Sequence, residues 1–215
     1  MRGGLRLGDR RMGELAKLPI PVLLTGPTGS GKTFLASSLH RMSGRHGEFV
    51  QVDCTQLLPE RLVADLFGAQ AGSYTGLGRD RMGLVEKAAH GTLLLDEVGD
   101  LSCRSQAMIL TFLDRMEYRR LGDHRVRAAR DVRLISATNR DLESLVRSGR
   151  FREDLYYRLA GFTFVVRGLD ERKHEIGSIA KVLLDEVVRR TGGQVLDFSP
   201  AALEALVFKD WPGNI

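Results

Sequence analysis

The amino-acid sequence predicts an α/β fold in which helices cover both faces of a largely parallel β-sheet. Short apolar runs rich in branched residues recur up to about Asp170, and longer segments with a helical spacing of apolar residues separate them. Strands of a parallel sheet are buried on both faces, so they read as continuous apolar runs. Beyond Asp170 the pattern is helical only. We therefore expect a parallel sheet followed by a helical segment.

The individual elements follow from the same pattern. Five strands are predicted, at residues 22–24, 49–53, 91–96, 132–137 and 162–166. Helices are predicted at residues 32–42, 104–116, 171–190 and 199–208. No internal repeat or low-complexity tract interrupts this order. A chain of 215 residues has room for one large domain, or for one domain and part of another.

Composition narrows the class of protein without choosing a function. Hydrophobic residues make up 43% of the chain and charged residues 27%, which is typical of globular proteins. The longest apolar runs are strand-sized, so neither a membrane span nor a signal peptide is expected. Cys54 and Cys103 match no metal or redox spacing, which favours the cytoplasm. A net charge of +5 is compatible with nucleotide, with nucleic acid and with solubility alone.

A glycine-rich turn between the first predicted strand and helix carries the strongest chemical signal. It fits the phosphate-loop pattern G-x-x-x-x-G-K-[ST] with Gly26, Pro27, Thr28, Gly29, Ser30, Gly31, Lys32 and Thr33. Amides of such a turn converge on an anion, and the N-terminus of the following helix adds its positive dipole. Lys32 is expected to reach the β- and γ-phosphates, and the Thr33 hydroxyl to ligate Mg²⁺. A chance glycine turn is the alternative.

A second acidic motif follows the strand at residues 91–96. Asp96 ends the apolar run and Glu97 comes directly after it. Asp96 is expected to hold Mg²⁺ and Glu97 to polarise an attacking water. Taken alone, two acids after an apolar run are equally typical of a strand meeting its turn. Combined with the phosphate loop they predict a nucleotide-hydrolysing site, and the absence of an Asn-Lys-x-Asp motif favours ATP over GTP.

Six motifs in a fixed order resemble the AAA+ ATPase domain of bacterial enhancer-binding proteins, the activators of sigma-54 RNA polymerase. They are GPTGSGKT, DLFGAQAGSYTG, HGTLLLDEVGDLS, VRLISATNRDLESLV, GRFREDLYYRL and WPGNI. The resemblance extends from about residue 21 to residue 215. It implies an AAA+ P-loop fold, with an α/β nucleotide-binding subdomain at 1–170 and the start of a truncated helical lid at 171–215. It also implies a cytoplasmic hexamer that uses ATP and Mg²⁺ to remodel the sigma-54 holoenzyme at promoters.

The family resemblance suggests a purpose for a glycine-bracketed loop with an aromatic residue at its tip. Enhancer-binding proteins carry Gly-Ala-Phe-Thr-Gly-Ala on a loop that contacts the sigma factor. The equivalent contact residues here are Gly72, Ser73, Tyr74, Thr75 and Gly76. The alternative is a hairpin tip whose tyrosine ring folds back onto the core. Tyr74 is a mild departure from the phenylalanine of the family pattern, whereas Ser73 and Leu77 each replace an alanine of that pattern.

Further catalytic candidates follow from the resemblance. Asn139 matches the residue that senses the γ-phosphate, although an asparagine there could also cap the next helix, as could Asp141. Arg152 and Arg158 match arginine fingers that act on the neighbouring subunit's nucleotide. Their alternative is a surface i,i+4 pair of Asp154 with Arg158.

Two positions depart from the pattern of the family. Asp53 stands where the family has an asparagine that holds the catalytic glutamate away from water. A carboxylate cannot donate that hydrogen bond unless it is protonated. Asp170 likewise replaces an arginine.

The segment 115–133 is strongly basic, since it holds seven arginines and His124. It is a candidate nucleic-acid surface. The family places a second pore loop here, and charged runs are mostly solvated faces. At the other end, WPGNI stops before the family's second sensor arginine, so the chain reads as a fragment whose DNA-binding domain lies elsewhere. Two functions rival sigma-54 remodelling: a nucleotide-binding regulatory module, and an AAA+ motor that acts on nucleic acid.

Overall fold

The computed structural model describes residues 10–192 and 197–215, apart from the side chains of residues 10 and 11. The described chain forms two compact units. The first contains residues 10–25 and 32–165, and the second contains residues 26–31 and 166–215. Within the described ranges, no helix combines the length and the apolar character needed to cross a membrane.

A five-stranded parallel sheet forms the centre of the first unit, which confirms the predicted fold class. Its strands in spatial order are β2 (Phe49–Asp53), β5 (Thr92–Asp96), β8 (Arg133–Thr138), β1 (Val22–Thr25) and β9 (Phe162–Val165). Each corresponds to a predicted strand. The register places Asp53 opposite Asp96 and Thr25 opposite Thr138. Polar side chains therefore meet at one carboxyl edge of the sheet.

Helices cover the sheet of the first unit. They are α1 (Arg10–Lys17), α2 (Lys32–Ser43), α3 (Leu62–Phe67), α4 (Leu84–Lys87), α5 (Cys103–Arg115), α6 (Leu142–Arg147) and α7 (Glu153–Leu159). Strand residues such as Leu93 and Leu95 are buried together with Ile109 and Phe112 of α5. Ser102 caps α5 by accepting a hydrogen bond from the Ser105 amide. This burial holds the ends of the strands in fixed positions.

Two short antiparallel pairs lie outside the main sheet and were not predicted. One pairs β3 (Gly68–Ala69) with β4 (Arg81–Met82), and the other pairs β6 (Glu117–Tyr118) with β7 (Arg127–Ala128). A bridge between Ala69 and Leu121 joins the two pairs. Each strand has two residues, which is too short to show an alternating sequence pattern.

The second unit contains the glycine-rich turn and two helices. These are α8 (Ile176–Thr191) and α9 (Pro200–Phe208), and Ser199 caps the latter. The predicted helix at 171–190 is shorter than expected, because Leu169–Glu175 forms 3₁₀ turns with a kink at Arg172 (φ −138°, ψ 41°). The prediction at 199–208 agrees with α9.

Candidate functional site

Four predicted site residues lie together in the first unit, at the carboxyl edge of the sheet. Lys32 and Thr33 begin α2, Asp96 ends β5, and Glu97 follows it directly. The Lys32 ammonium lies 3.7 Å from Glu97 Oε1, and its side chain is only 6% exposed. Thr33 Oγ1 donates to Asp96 Oδ2 at 3.1 Å. The structure thus brings together the lysine, the hydroxyl and the two acids that the sequence placed more than sixty residues apart.

The Glu97 backbone adopts the left-handed conformation, with φ 53° and ψ 50°. This region is uncommon for a residue with a side chain, and such strain is typical of functional sites. The conformation allows Glu97 Oε2 to accept a hydrogen bond from the Asn139 amide at 3.0 Å. Glu97 is therefore held from two sides, by the Lys32 ammonium and by the backbone at the end of β8.

Asn139 and Asp141 do different things in the structure. Asp141 is the N-cap of α6, since its carboxylate accepts from the Ser144 amide at 3.1 Å and from the Ser144 hydroxyl at 2.6 Å. Asn139 meets Glu97 through its backbone instead. Because Asp141 caps α6, Asn139 is not needed as a cap, and it lies next to Asp96 and Glu97.

The Asp96 carboxylate is the best-supported candidate for holding a metal ion. Besides Thr33, Gln51 of β2 donates to Asp96 Oδ2 at 2.9 Å, and the Glu97 amide donates to Oδ1 at 3.2 Å. The sequence did not single out Gln51, because one glutamine in a strand carries no motif. Adjacent carboxylate and hydroxyl oxygens suit Mg²⁺, which keeps several waters and needs few protein ligands besides nucleotide phosphates. The donor set therefore fits Mg²⁺.

Asp53, next to this edge, is occupied by its own local partners. Its Oδ1 accepts from the Thr55 amide at 2.9 Å and the Thr55 hydroxyl at 2.6 Å, and its Oδ2 accepts from Gln56 at 2.7 Å. The Thr55 hydroxyl bond is the main reason that the pKa of Asp53 falls below its usual value. Asp53 is thus an ionised cap of the turn that follows β2, and the contacts of Glu97 described above come from Lys32 and Asn139.

The glycine-rich turn, described within the second unit, has the backbone that its sequence requires. Gly26, Gly29 and Gly31 have φ values of 155°, 71° and 87°, which side-chain-bearing residues rarely adopt. The Ser30 amide donates to the Pro27 carbonyl at 3.2 Å and closes a turn. The Ser30 hydroxyl is buried and has no hydrogen-bond partner among the described residues. A buried donor of this kind suits an anion.

The two candidate finger arginines have different partners from those that spacing suggested. Arg152 holds both oxygens of Asp154, at 3.0 Å and 2.7 Å. Arg158 pairs with Asp114 of α5, with Nε at 2.9 Å from Oδ1. The i,i+4 pair of Asp154 with Arg158 is therefore replaced by two other pairs. Both guanidinium groups are about half exposed on the first unit.

The loop at residues 72–77 presents its tyrosine to solvent. Tyr74 is 42% exposed, so the ring does not fold back onto the core. Gly72 and Gly76 have φ values of 78° and 90°, and the Gly72 amide donates to the Leu77 carbonyl at 2.8 Å. The loop is therefore a closed turn with Tyr74 and Thr75 at its exposed end.

Three arginines of the basic segment 115–133 are engaged in contacts within the protein. Arg120 pairs with Asp80 at 3.2 Å and with Glu86 at 2.8 Å, and it thereby ties the β6–β7 hairpin to the base of the 72–77 loop. Arg127 pairs with Asp123. Arg133 is only 3% exposed, with its guanidinium bound to backbone carbonyls of α1. Fewer arginines are therefore available for a basic surface than the sequence suggests.

A protein-family model matches most of this chain. Residues 7–165 match the family described as the sigma-54 interaction domain. The hydrogenase transcriptional regulatory protein HoxA of Bradyrhizobium diazoefficiens is 43% identical over the whole of this chain and 44% of its own length. The regulatory protein AtoC of Escherichia coli is 39% identical over 94% of this chain and 44% of its own length. The chain thus spans less than half of these relatives.

Solved structures with a similar fold carry nucleotide. NtrX of Brucella abortus in complex with ADP superposes with a TM-score of 0.80 and 32% identity, over 95% of this chain and 45% of that one. The complex of the same protein with ATP gives a TM-score of 0.79 and 33% identity, over 94% and 46% of the two chains.

Proposed function

Since this chain belongs to the sigma-54 interaction domain family and has its AAA+ fold, we propose that it is the ATP-hydrolysing core of a sigma-54-dependent transcriptional activator. The reaction is hydrolysis of ATP to ADP and phosphate, and its energy remodels the closed complex of the sigma-54 RNA polymerase. Binding of ATP and ADP by NtrX supports the choice of nucleotide.

The contacts of Glu97 carry this proposal. Its carboxylate lies 3.7 Å from the Lys32 ammonium and accepts from the Asn139 amide at 3.0 Å. A carboxylate fixed in this way is placed to orient and polarise an attacking water. The left-handed backbone of Glu97 also supports the proposal, because backbone strain of this kind clusters at functional sites.

Neighbouring residues supply binding and charge compensation. Lys32 neutralises negative charge on the β- and γ-phosphates, and Thr33 and Asp96 would hold Mg²⁺. When bound, Mg²⁺ neutralises the phosphate charge that develops during the transfer. Asn139 connects the end of β8 to Glu97, so a change at the γ-phosphate is transmitted along the backbone to the sheet.

Assembly and partner contact complete the proposal. Arg152 and Arg158 act on the nucleotide of a neighbouring subunit in a hexameric ring, where a guanidinium stabilises the transferring phosphoryl group. Tyr74 and Thr75 contact sigma-54, because an exposed ring at the tip of a closed turn offers apolar area for a partner.

A regulatory module that binds nucleotide without remodelling sigma-54 is the second candidate. The state of Asp53 favours it, since this carboxylate is held by Thr55 and Gln56 and lacks the amide donor found in the family. A motor acting on nucleic acid is less well supported, because Arg120, Arg127 and Arg133 are engaged internally.

The test is ATP turnover by the protein with and without sigma-54 holoenzyme, together with opening of a sigma-54 promoter. We expect Mg²⁺-dependent turnover and promoter opening that requires ATP. Turnover without promoter opening would identify the regulatory module. Stimulation of turnover by nucleic acid alone, with sigma-54 absent, would identify the motor.

A further inference from the structure

Within the second unit, three consecutive carbonyl groups of the glycine-rich turn are bound by groups far along the chain. Asn214 Nδ2 donates to the Thr28 carbonyl at 2.8 Å. The Ile215 amide donates to the Gly29 carbonyl at 2.9 Å. Arg172 Nη2 donates to the Ser30 carbonyl at 2.6 Å. The carbonyl groups of the turn are therefore held at every residue from 28 to 30.

These bonds constrain the amides as well as the carbonyls. In a trans peptide the carbonyl of one residue and the amide of the next point in opposite directions, and no cis peptide occurs in the described chain. Fixing the Thr28 and Ser30 carbonyls therefore fixes the amides of Gly29 and Gly31 on the opposite side. Converging amides are the part of a phosphate loop that binds the anion.

The backbone and the side chain of Asn214 both suit its contact with the turn. Its backbone is left-handed, with φ 62°, a region that asparagine tolerates better than most residues. Its Oδ1 accepts from the Leu169 amide at 2.7 Å while its Nδ2 binds Thr28. A Cβ on Gly168 would approach Asn214 Oδ1 to 2.8 Å, so glycine there makes room for the amide. One side chain thus joins the turn to the segment that leads into Arg172.

Arg172 is held in place by the same segment. Its side chain is 13% exposed and also lies 3.6 Å from Glu175 Oε2. The kink at Arg172 separates it from the helix that spacing predicted across this region. A bond from a guanidinium to a carbonyl is charge-assisted and stronger than one between neutral groups.

We propose that Asn214 and Arg172 are positioning residues for nucleotide binding, which hold the turn so that the Gly29 and Gly31 amides face the phosphates before nucleotide arrives. This inference rests on the proposed ATP site. It adds to that site two residues that act through the glycine-rich turn. A preordered loop binds phosphate more tightly because ordering is not required at the moment of binding.

Affinity for ADP and AMP, measured by calorimetry on the protein, tests this inference. AMP lacks the β-phosphate that such a loop holds. We expect Asn214→Gly and Arg172→Met each to raise the Kd of ADP about tenfold, which corresponds to the hydrogen bond that each side chain donates to the turn. The Kd of AMP should rise less than about threefold. Asn214→Gly keeps the left-handed backbone accessible, and Arg172→Lys should restore part of the affinity because it keeps a charged donor.

Arg189→Met is the matched control. Arg189 lies on α8 and donates to the Asp185 carbonyl of its own helix, so its loss should leave ADP binding unchanged. Equal weakening of ADP and AMP with a lowered melting temperature, or unchanged ADP binding, would overturn the inference. If Asn214→Gly does not fold, Arg172→Met and Arg172→Lys decide alone. Absence of ADP binding by the unsubstituted protein would instead refute the proposed ATP site.

Discussion

Arg158 of α7 pairs with Asp114 of α5 within one chain, with Nε 2.9 Å from Oδ1. Spacing had suggested Asp154 as its partner, but Asp154 is held by Arg152. Exposed pairs of this kind contribute little to stability, so each arginine can exchange its partner for a phosphate at small cost.

Mixed rings test whether Arg158 acts on a neighbouring subunit. A mixture of Arg158→Ala and Glu97→Gln proteins should recover part of the ATPase activity, because some interfaces then combine an intact Glu97 with an intact Arg158. Activity is measured across mixing ratios, with ring formation checked by light scattering. Mixed rings without recovered activity would show that Arg158 does not act on the nucleotide of a neighbouring subunit. Arg104→Ala, an exposed arginine of α5, is the control.

Loss of Glu97 should slow ATP hydrolysis, whereas loss of Lys32 should weaken ATP binding. We expect Glu97→Gln to bind ATP with nearly unchanged affinity and to hydrolyse it at least about a hundredfold more slowly, since the water loses its base. Lys32→Ala should weaken ATP binding itself, because it removes the buried cation that we propose neutralises the phosphates. Binding and single-turnover hydrolysis are measured separately. Normal turnover by Glu97→Gln would contradict its assignment.

The exposed loop should be separable from the nucleotide site. Thr75→Ala and Tyr74→Ala should keep ATP hydrolysis and lose binding to sigma-54 in the presence of a transition-state mimic of ATP. Tyr74→Phe should be nearly silent because the ring is retained. Since Tyr74 is 42% exposed, Tyr74→Ala should cost far less than the roughly 3–5 kcal/mol of a buried aromatic. A large loss of thermal stability in Tyr74→Ala, with sigma-54 binding intact in Thr75→Ala, would make the loop structural.

Arg133 should matter for stability and not for chemistry. Its guanidinium donates to the Leu15 carbonyl at 3.1 Å and to the Ala16 carbonyl near the end of α1. Arg133→Leu should lower the free energy of unfolding by about 1–3 kcal/mol, since the Ala16 carbonyl loses this donor and the Leu15 carbonyl keeps only the Leu18 amide. Urea unfolding measures this change. Arg130→Leu, at an exposed site, should stay within about 0.5 kcal/mol of the parent.

His40 should make stability depend on pH. Burial lowers its pKa below the ordinary value of 6.5, and the charges of Arg45, Arg133 and Arg41 lower it further. Below pH 6.5 the unfolded chain therefore binds more protons at this position than the folded one, and stability is lost as pH falls. His40→Asn should flatten the decline of Tm between about pH 7 and pH 5. The exposed His46→Asn is its control, and an unchanged slope in His40→Asn would contradict the assignment.

The positions of the strands and the residues that meet at the candidate site could be predicted where the sequence signal is local. Each strand of the main sheet is a run of apolar residues, and burial on both faces of a parallel sheet requires such runs whatever the rest of the chain does. Glycines 26, 29 and 31 allowed the phosphate loop to be predicted, because only glycine adopts their backbone angles at little cost. Lys32 could be named because it follows the glycine-rich turn directly. Asp96 and Glu97 could be named because they come at the end of a predicted strand.

The sequence alone could not decide which side chains meet across long separations. Gln51 reaches Asp96, Arg158 reaches Asp114, and Asn214 reaches Thr28 only because the folded chain brings their elements together. Seven arginines looked like one basic surface, but burial of Arg133 and the pairing of Arg120 with Glu86 depend on packing. Local patterns report the preferences of neighbouring residues, whereas partners of charged side chains are chosen by geometry that exists only after folding.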